Sequence, residues 1–145
     1  MTATPFNQKT IDEFHAKQGR GVGPWGDNLL LMTSKGAVSA DDITTPLVSR
    51  RKGEDLVVVA SKGGAPDHPR WLTSVELNPI VDVEVPSGDG TIHQKRRARI
   101  VAGGTERDQL YAYMVEVWPA FADYETKTDR KIAVVVLEPA GEAGA

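Results

Sequence analysis

A glycine-rich stretch follows an apolar run near the middle of the chain. It reads Ala60-Ser-Lys-Gly-Gly-Ala65 and precedes a helix predicted to start near Pro69. Its two glycines let the backbone approach a ligand closely, Ser61 offers a hydroxyl and Lys62 a positive charge, which suits a phosphate or an electron-rich ring oxygen. The stretch matches neither a P-loop nor G-x-G-x-x-G, so Walker-type and Rossmann-type nucleotide binding are disfavoured. A plain turn is the alternative that these residues leave open.

Two further sets of side chains could bind a ligand. Aromatic residues recur at helical spacing around Pro119 and form either core or an apolar wall for a flat ligand. Basic residues crowd one predicted strand and form either a solvent-exposed face or an anion site. The aromatic set is Trp118, Phe121 and Tyr124, and the basic set is Lys95, Arg96, Arg97 and Arg99. Both interpretations of each set stay open on these residues alone.

The composition excludes several kinds of catalytic site. The chain has no cysteine, which rules out disulfides, thiolate nucleophiles and cysteine-ligated metal centres. Its histidines, His15, His68 and His93, lack neighbouring ligands at metal-site spacing. We therefore predict surface histidines and no metal site. No G-x-S-x-G motif is present, which disfavours a serine nucleophile.

Length and charge point to one soluble domain. The chain has 145 residues, with 17 Lys+Arg against 20 Asp+Glu and a net charge of −3, so a general nucleic-acid binder is disfavoured. The longest apolar run, Ile132 to Leu137, is too short to span a bilayer. The first residues lack the pattern of a signal peptide. Together with the absence of thiols, this leads us to expect a cytoplasmic protein.

Hydrophobic periodicity and turn residues predict about six strands, one long helix and two short helices. The predicted helices are Ile11 to Gln18, a segment between Pro69 and Asn78, and Thr105 to Pro119. The predicted strands are Leu29 to Met32, Ile43 to Arg51, Asp55 to Ala60, Ile80 to Val85, Thr91 to Val101 and Ile132 to Leu137. Because hairpins join most of the strands, the pattern is typical of an α+β fold or a closed barrel.

Several separated motifs, in one order, resemble the deazaflavin-dependent nitroreductase family, reductases that use coenzyme F420. The motifs are Ser61 to Trp71 with Asn78-Pro79, Trp118 to Tyr124, Lys127 to Arg130 and Ile132 to Pro139, while Leu29 to Leu47 looks like the family's first two strands. The resemblance covers about residues 25–139. It implies a split β-barrel, related to flavin-binding oxidases. It makes residues 25–139 the cofactor-binding domain, preceded by an N-terminal segment with a short helix (1–24). The small residues of Ala140 to Ala145 predict a disordered tail (140–145).

The resemblance also implies the cofactor and the residues around it. The cofactor would be coenzyme F420 in its reduced form, F420H2. Residues expected to bind it are Lys35, Ser39, Thr44, Thr45, Pro46, Ser61, Lys62, Gly63, Gly64, Arg70 and Trp71. Trp118, Phe121 and Tyr124 would line the pocket for a small-molecule electron acceptor. Ser61 and Tyr124 would be the catalytic contacts, stabilising the oxygen that becomes negative on the acceptor.

The sequence departs from the family pattern in two respects. Ala37-Val38 replaces an Arg-Lys pair, and Ile43 replaces the usual arginine before Thr-Thr-Pro. The charge that holds the anionic tail would then come from Lys35, Lys62, Arg50 or the basic strand. Phe121 stands where nitro-reducing members often have tyrosine, and a phenyl ring cannot donate a proton. This favours activated C=C bonds over nitroimidazoles.

We therefore expect an F420H2-dependent oxidoreductase that transfers a hydride to conjugated C=C bonds, in enones and unsaturated lactones, or to quinones. Three alternatives belong to other classes: an FMN-binding split-barrel oxidoreductase, a non-catalytic carrier of deazaflavin or a lipophilic ligand, and a nucleic-acid module, which the net acidity disfavours. The sequence leaves peripheral membrane contact open, and also whether the protein is a monomer or a homodimer.

Overall fold

The computed structural model describes residues 5–35, 42–64 and 67–140. Within these ranges the chain forms seven strands and four α-helices. The strands are β1 (Leu29–Lys35), β2 (Asp42–Val48), β3 (Arg50–Lys52), β4 (Asp55–Val59), β5 (Ile80–Ser87), β6 (Gly90–Val101) and β7 (Val134–Pro139). The helices are α1 (Pro5–Ala16), α2 (Arg70–Leu77), α3 (Gly104–Val117) and α4 (Ala120–Thr126), and two short 3-10 turns span Gly23–Trp25 and Lys62–Gly64.

All seven strands belong to one antiparallel sheet that curls into an incompletely closed barrel. Its order is β2-β1-β5-β6-β7-β4-β3, so β2 and β3 lie at opposite ends. Six strand spacings would separate them by about 29 Å in a flat sheet. Only Ser49 stands between the two strands, and two Cα steps span at most about 7 Å. The sheet must therefore bend until its ends approach, which confirms the expected split β-barrel.

Several strands read as continuous apolar runs because both of their faces are buried. On β4, Leu56 and Val58 face the inner core, whereas Val57 and Val59 face outward. The inner core contains Leu30, Met32, Leu56, Val58, Ala60, Trp71, Leu72, Val75, Val81, Val83, Ala98, Ala133, Val135 and Leu137. The outer clusters pack against α1 on one side of the barrel and against α3 and α4 on another. Burial on both faces explains why these strands are apolar at every position and do not alternate with polar residues.

The largest differences from the predicted element boundaries concern α1, the strand after residue 42 and the segment after Pro119. Helix α1 begins at Pro5, earlier than Ile11, since proline is well suited to the first helical position. The single strand predicted over Ile43 to Arg51 breaks at Ser49, where the chain passes from one end of the curled sheet to the other. A fourth helix, α4, directly follows Pro119, where the prediction had only one long helix ending.

The ends of the chain fall only partly within the described ranges. Of the tail predicted to be disordered (140–145), only Ala140 is described, and its amide N–H donates to the Lys95 carbonyl at 3.3 Å. Near the other end, Ile11 and Phe14 of α1 pack with Val22 against Leu29 and Leu31 on the outer face of β1. No helix among the described residues is long and apolar enough to cross a bilayer.

Candidate functional site

The glycine-rich stretch forms a tight bend at the end of β4, and we call residues 61–64 the bend. The amide N–H of Ala60 still pairs with the Ala133 carbonyl at 3.0 Å, after which the chain leaves the sheet. The amide of Gly64 then donates to the Ser61 carbonyl at 2.9 Å and closes a 3-10 turn. Lys62 has a φ of +46°, in the left-handed region that costs a non-glycine residue about 1–2 kcal/mol. Strain of this kind points to a functional site.

The bend lies directly against the backbone of α4. A methyl carbon added at Gly64, whose φ is +82°, would lie 2.9 Å from the Tyr124 carbonyl oxygen and 3.0 Å from Cβ of Lys127. A backbone oxygen at that distance cannot move aside cheaply, so this position requires glycine for space as well as for conformation. The structure therefore brings the predicted cofactor bend and the predicted acceptor pocket together.

Arg130 joins the bend to the segment that follows α4. Its guanidinium donates to the Ser61 carbonyl at 2.7 Å and to the Ala60 carbonyl at 3.2 Å. Nη1 also lies 3.4 Å from Nδ1 of His68. The planar, always charged guanidinium is suited to holding two carbonyls at once. The sequence analysis assigned Arg130 no role, although the residue lies within the Lys127 to Arg130 motif.

Strand β2 approaches β4 at its last residue. Val48 packs against the cluster that contains Val57 and Val59. Only Ser49 separates it from Arg50, which pairs with Val57 on β4. The predicted cofactor-binding residues Thr44, Thr45 and Pro46 precede Val48 on the same strand.

Successive residues of β2 point to opposite faces, which separates these predicted contacts. Thr44 is buried and its Oγ1 lies 2.8 Å from Oγ1 of Thr33, with which it pairs across the hairpin. Thr45 pairs with Met32, a residue of the inner core. Thr45 and Thr44 thus face the two sides of the sheet, so a ligand on the inner side would meet Thr45 but not Thr44.

The ammonium group of Lys62 already has a partner. Its Nζ donates to Oδ2 of Asp67 at 3.1 Å, and both side chains are exposed. The Lys62 hydrogen bond holds the pKa of the Asp67 carboxyl below its usual range. An exposed pair of this kind contributes little to stability, so the ammonium can exchange Asp67 for an anionic ligand at low cost.

The remaining predicted cofactor contacts have different surroundings. Lys35 is exposed at the end of β1, and Arg70 is exposed at the first turn of α2. Trp71, by contrast, is only 5% exposed and packs in the inner core, in the cluster that also contains Ala60. Ser39, like the Ala37-Val38 pair, lies outside the described residues.

The aromatic set lies on α4 and at its entrance. Phe121 is 4% exposed and makes edge-to-face contacts with Tyr111 and Tyr124, at centroid distances of 6.2 and 5.9 Å. Trp118 and Tyr124 are half-buried, and the Trp118 ring lies 6.4 Å from that of Trp25. Phe121 is therefore core, whereas Trp118 and Tyr124 keep ring surface that a ligand could reach.

The other cations proposed for an anionic tail are engaged elsewhere. Arg50 bonds Glu116 at 2.8 Å and stacks on the Tyr113 ring, both on α3. Arg99 pairs with Glu106 and Glu138, each at 3.0 Å. Arg96 is buried and donates to backbone carbonyls at the other end of β4. These three arginines make structural contacts, whereas the other named candidates are exposed: Lys35, Lys62, Lys95 and Arg97.

A polar cluster that the sequence analysis missed joins α1 to the sheet. Glu84, only 8% exposed, accepts a hydrogen bond from Thr91 at 2.6 Å and contacts His15 Nε2 at 2.9 Å. His93 lies beside it and contacts Asp82 at 2.8 Å. Across the residues that the structure describes, no group of three or more such side chains is arranged to hold a metal ion.

The donor set around the bend fits the cofactor expected from the sequence. Lys62 supplies an exposed cation, Ser61, which is 8% exposed, a hydroxyl, and the bend supplies backbone amides. These groups suit anionic and electron-rich oxygens. The half-buried ring of Tyr124 lies on α4, whose backbone contacts Gly64, and the half-buried ring of Trp118 precedes that helix. A planar group with polar edges and an anionic tail matches both surfaces.

Comparisons with known proteins agree on one family. The family model described as F420H(2)-dependent quinone reductase matches residues 7–139. An F420H(2)-dependent quinone reductase of Mycobacterium tuberculosis is 32% identical over 114 residues, covering 74% of this chain and 71% of that protein.

Solved structures give the same picture. An F420-H2 dependent reductase is 39% identical with a TM-score of 0.66, covering 77% of this chain and 94% of that one. A second structure, described as a domain-swapped dimer, is 36% identical with a TM-score of 0.67 and covers 90% and 93% of the two chains.

Proposed function

Because the chain belongs to the F420H(2)-dependent quinone reductase family, we propose that it transfers a hydride from reduced coenzyme F420 to quinones and to conjugated C=C bonds. The family membership itself makes the protein an oxidoreductase that uses F420H2. The acceptor and the residues that contact it belong to the proposal.

One observation carries the proposal: the bend expected to hold the cofactor touches the helix expected to hold the acceptor. A methyl carbon added at Gly64 of the bend would lie only 2.9 Å from the backbone carbonyl oxygen of Tyr124 on α4. Hydride transfer requires the donor and acceptor carbons to lie about 3–3.5 Å apart. Two binding surfaces that share a contact are suited to that requirement.

The residues of the chain hold and orient the cofactor. Lys62 would exchange Asp67 for the anionic tail, and Ser61 with the amides of the bend would bond polar edges of the ring system. Trp71 packs in the inner core with Ala60, the residue that precedes the bend. The bound F420H2 supplies the hydride from C5 of its deazaflavin ring.

Trp118 and Tyr124 would contact the acceptor. Their half-buried rings can stack on a conjugated ring. A quinone gains the hydride and one proton to become a hydroquinone, and an enone gains them as a saturated ketone. The side chain of Phe121 has no proton to give, so the second hydrogen comes from solvent or from the Tyr124 hydroxyl.

The test is steady-state oxidation of F420H2 with menadione, cyclohexenone, a coumarin-type lactone and a nitroimidazole, run side by side. We expect turnover with menadione and cyclohexenone and much weaker turnover with the nitroimidazole. Titration of F420 fluorescence with the purified protein measures binding separately from turnover.

Two outcomes would favour the other classes. A protein that purifies yellow and binds FMN but not F420 would be an FMN oxidoreductase. Tight F420 binding without turnover of any acceptor would indicate a carrier. Either result contradicts the proposed reaction.

Assembly is a separate part of the proposal. A relative 36% identical to this chain is described as a domain-swapped dimer, and we propose that this protein is a monomer or a homodimer. Light scattering on the purified protein, measured with and without F420, distinguishes a monomer from a homodimer.

A further inference from the structure

We propose that Arg130 is a positioning residue that holds the backbone amides of the bend toward the cofactor. The inference rests on the proposed function, because it assigns the bend to cofactor binding. It concerns a residue outside the bend, on the segment between α4 and β7.

The sheet leaves the two carbonyls at this point without strand partners. The β4–β7 ladder ends at Val59 and Val134, with one further bond from the Ala60 amide to Ala133. The carbonyls of Ala60 and Ser61 then accept from Arg130 at 3.2 and 2.7 Å. One side chain thus continues the hydrogen bonding where the strand ends.

Holding these carbonyls also fixes the direction of the next amides. In a trans peptide the N–H points opposite to the C=O of the same unit, and the described chain has no cis peptide bond. The N–H groups of Ser61 and Lys62 therefore point away from Arg130. The Gly64 amide, which bonds the Ser61 carbonyl, is occupied in closing the turn.

The arrangement depends on the shape of the guanidinium. Its planar fork reaches two successive carbonyls, and its charge strengthens both bonds. A lysine ammonium keeps the charge but is a point donor on a flexible stem. The left-handed φ of Lys62 makes the held bend a strained conformation that needs outside support.

The experiment compares Arg130→Ala and Arg130→Lys with the wild type by F420 fluorescence titration and thermal unfolding. We expect the Kd for F420 to rise about tenfold to a hundredfold in Arg130→Ala, since it loses two charge-assisted bonds. The Kd of Arg130→Lys should lie between those of the wild type and Arg130→Ala. The matched control is Arg20→Ala, an exposed arginine that bonds the Gly88 carbonyl at 3.2 Å, far from the bend in sequence.

Chemical rescue separates positioning from a merely structural role. Added methylguanidinium should lower the Kd of Arg130→Ala and leave those of the wild type and Arg20→Ala unchanged. If Arg130→Ala bound F420 weakly only because the whole fold was destabilised, methylguanidinium would not lower its Kd. If Arg130→Ala does not fold, Arg130→Lys should still show a several-fold weaker Kd with a nearly unchanged unfolding temperature.

The outcomes keep the two proposals apart. Failure of the wild type to bind F420 contradicts the proposed function. Normal wild-type binding with an unchanged Kd in folded Arg130→Ala overturns the role of Arg130 alone. Weakened binding that methylguanidinium does not restore also overturns it, because the loss would then come from the altered structure.

Discussion

The two ends of β4 use the same device for different purposes. Before the strand, Arg96 donates to the Glu54 carbonyl at 2.6 Å, and after it Arg130 donates to those of Ala60 and Ser61. Arg96 is 5% exposed and closes a two-residue hairpin at Gly53 and Glu54. Arg130 is half-buried and supports a bend whose Lys62 is exposed.

The turn at Gly53 and the bend predicted to bind the cofactor differ in the residue that takes the left-handed position. At the first end, glycine takes the left-handed position, with a φ of +63° at Gly53, so the turn carries no strain. At the second end a lysine takes it, and a helix packs against the turn. Backbone strain at an exposed residue such as Lys62 is expected where the side chain of that residue has a function.

The largest effect should come from the structural end. Arg96→Ala removes bonds to the Glu54 and Leu137 carbonyls and to Gln94, and it empties the space of a side chain that is 5% exposed. We expect the free energy of unfolding to fall by about 2–4 kcal/mol, with the Kd for F420 unchanged. Urea denaturation and fluorescence titration measure the two quantities.

The matched control for Arg96 is Arg97→Ala, its exposed neighbour on β6, which should cost less than about 0.5 kcal/mol. If Arg96→Ala weakened F420 binding as much as Arg130→Ala, the two ends of β4 would not differ in function.

The next effect concerns the contact between the bend and α4. Gly64→Ala adds a methyl group 2.9 Å from the Tyr124 carbonyl oxygen at a φ of +82°. We expect a loss of about 2–3 kcal/mol in unfolding free energy, together with lower kcat, because α4 must move away from the bend.

Gly21→Ala separates strain from collision. Its φ is +62° and an added methyl group meets nothing within 4 Å, so only the conformational cost of about 1 kcal/mol remains. Equal losses in the two variants would mean that α4 does not press on the bend.

A gain in stability is expected at Lys62. Lys62→Gly removes the strain of a left-handed lysine and should raise the unfolding free energy by up to about 1 kcal/mol, while F420 binding weakens several-fold with the loss of the cation. Gln18→Gly, at a φ of +56° on an exposed residue after α1, should stabilise similarly without affecting binding. Tighter F420 binding by Lys62→Gly would show that the cation is not used.

The smallest effect is a pH dependence that arises away from both ends of β4. Hydrogen bonding to Asp82 raises the pKa of His93 above 6.5. The stability that protonated His93 contributes is therefore complete below pH 6.5 and is lost as the pH rises through the pKa of His93 in the folded protein. Burial opposes the ionised form of Glu84, but its bonds to Thr91 and His15 outweigh burial and lower its pKa. The stability that ionised Glu84 contributes is therefore lost as the pH falls through its pKa in the folded protein.

Because His93 is largely exposed, the decline above neutral pH should be a fraction of a kcal/mol. His93→Gln should abolish it, and the difference between Arg96→Ala and Arg130→Ala should stay the same across this pH range. A pH-dependent difference would couple the histidine cluster to β4.

Local patterns predicted much of the fold and the position of the bend. The apolar runs of β4 and β7 and the alternation of β5 follow directly from burial at period 2. The helix α2 ends at Asn78-Pro79 as predicted, because a residue before proline leaves the helical region. The roles assigned to individual side chains of the bend stay predictions.

Other features were invisible in the sequence because they depend on distant neighbours. The break at Ser49 follows from closure of the barrel, and its local sequence is that of a continuing strand. Helix α4 has only seven residues, which is too short for a hydrophobic periodicity to predict a helix. Its aromatic residues therefore showed only their spacing. Glu84 alternates with valines like an exposed residue, yet α1 and Thr91 bury it.

The sequence by itself determined the strands, the turns and the family, because periodicity and turn chemistry act between near neighbours. Only the tertiary structure decided that Phe121 is core, that Thr45 and not Thr44 faces the inner core, and that Arg130 holds the bend. Those outcomes require the curled sheet, which brings residues about seventy positions apart, such as Ser61 and Arg130, within hydrogen-bond distance.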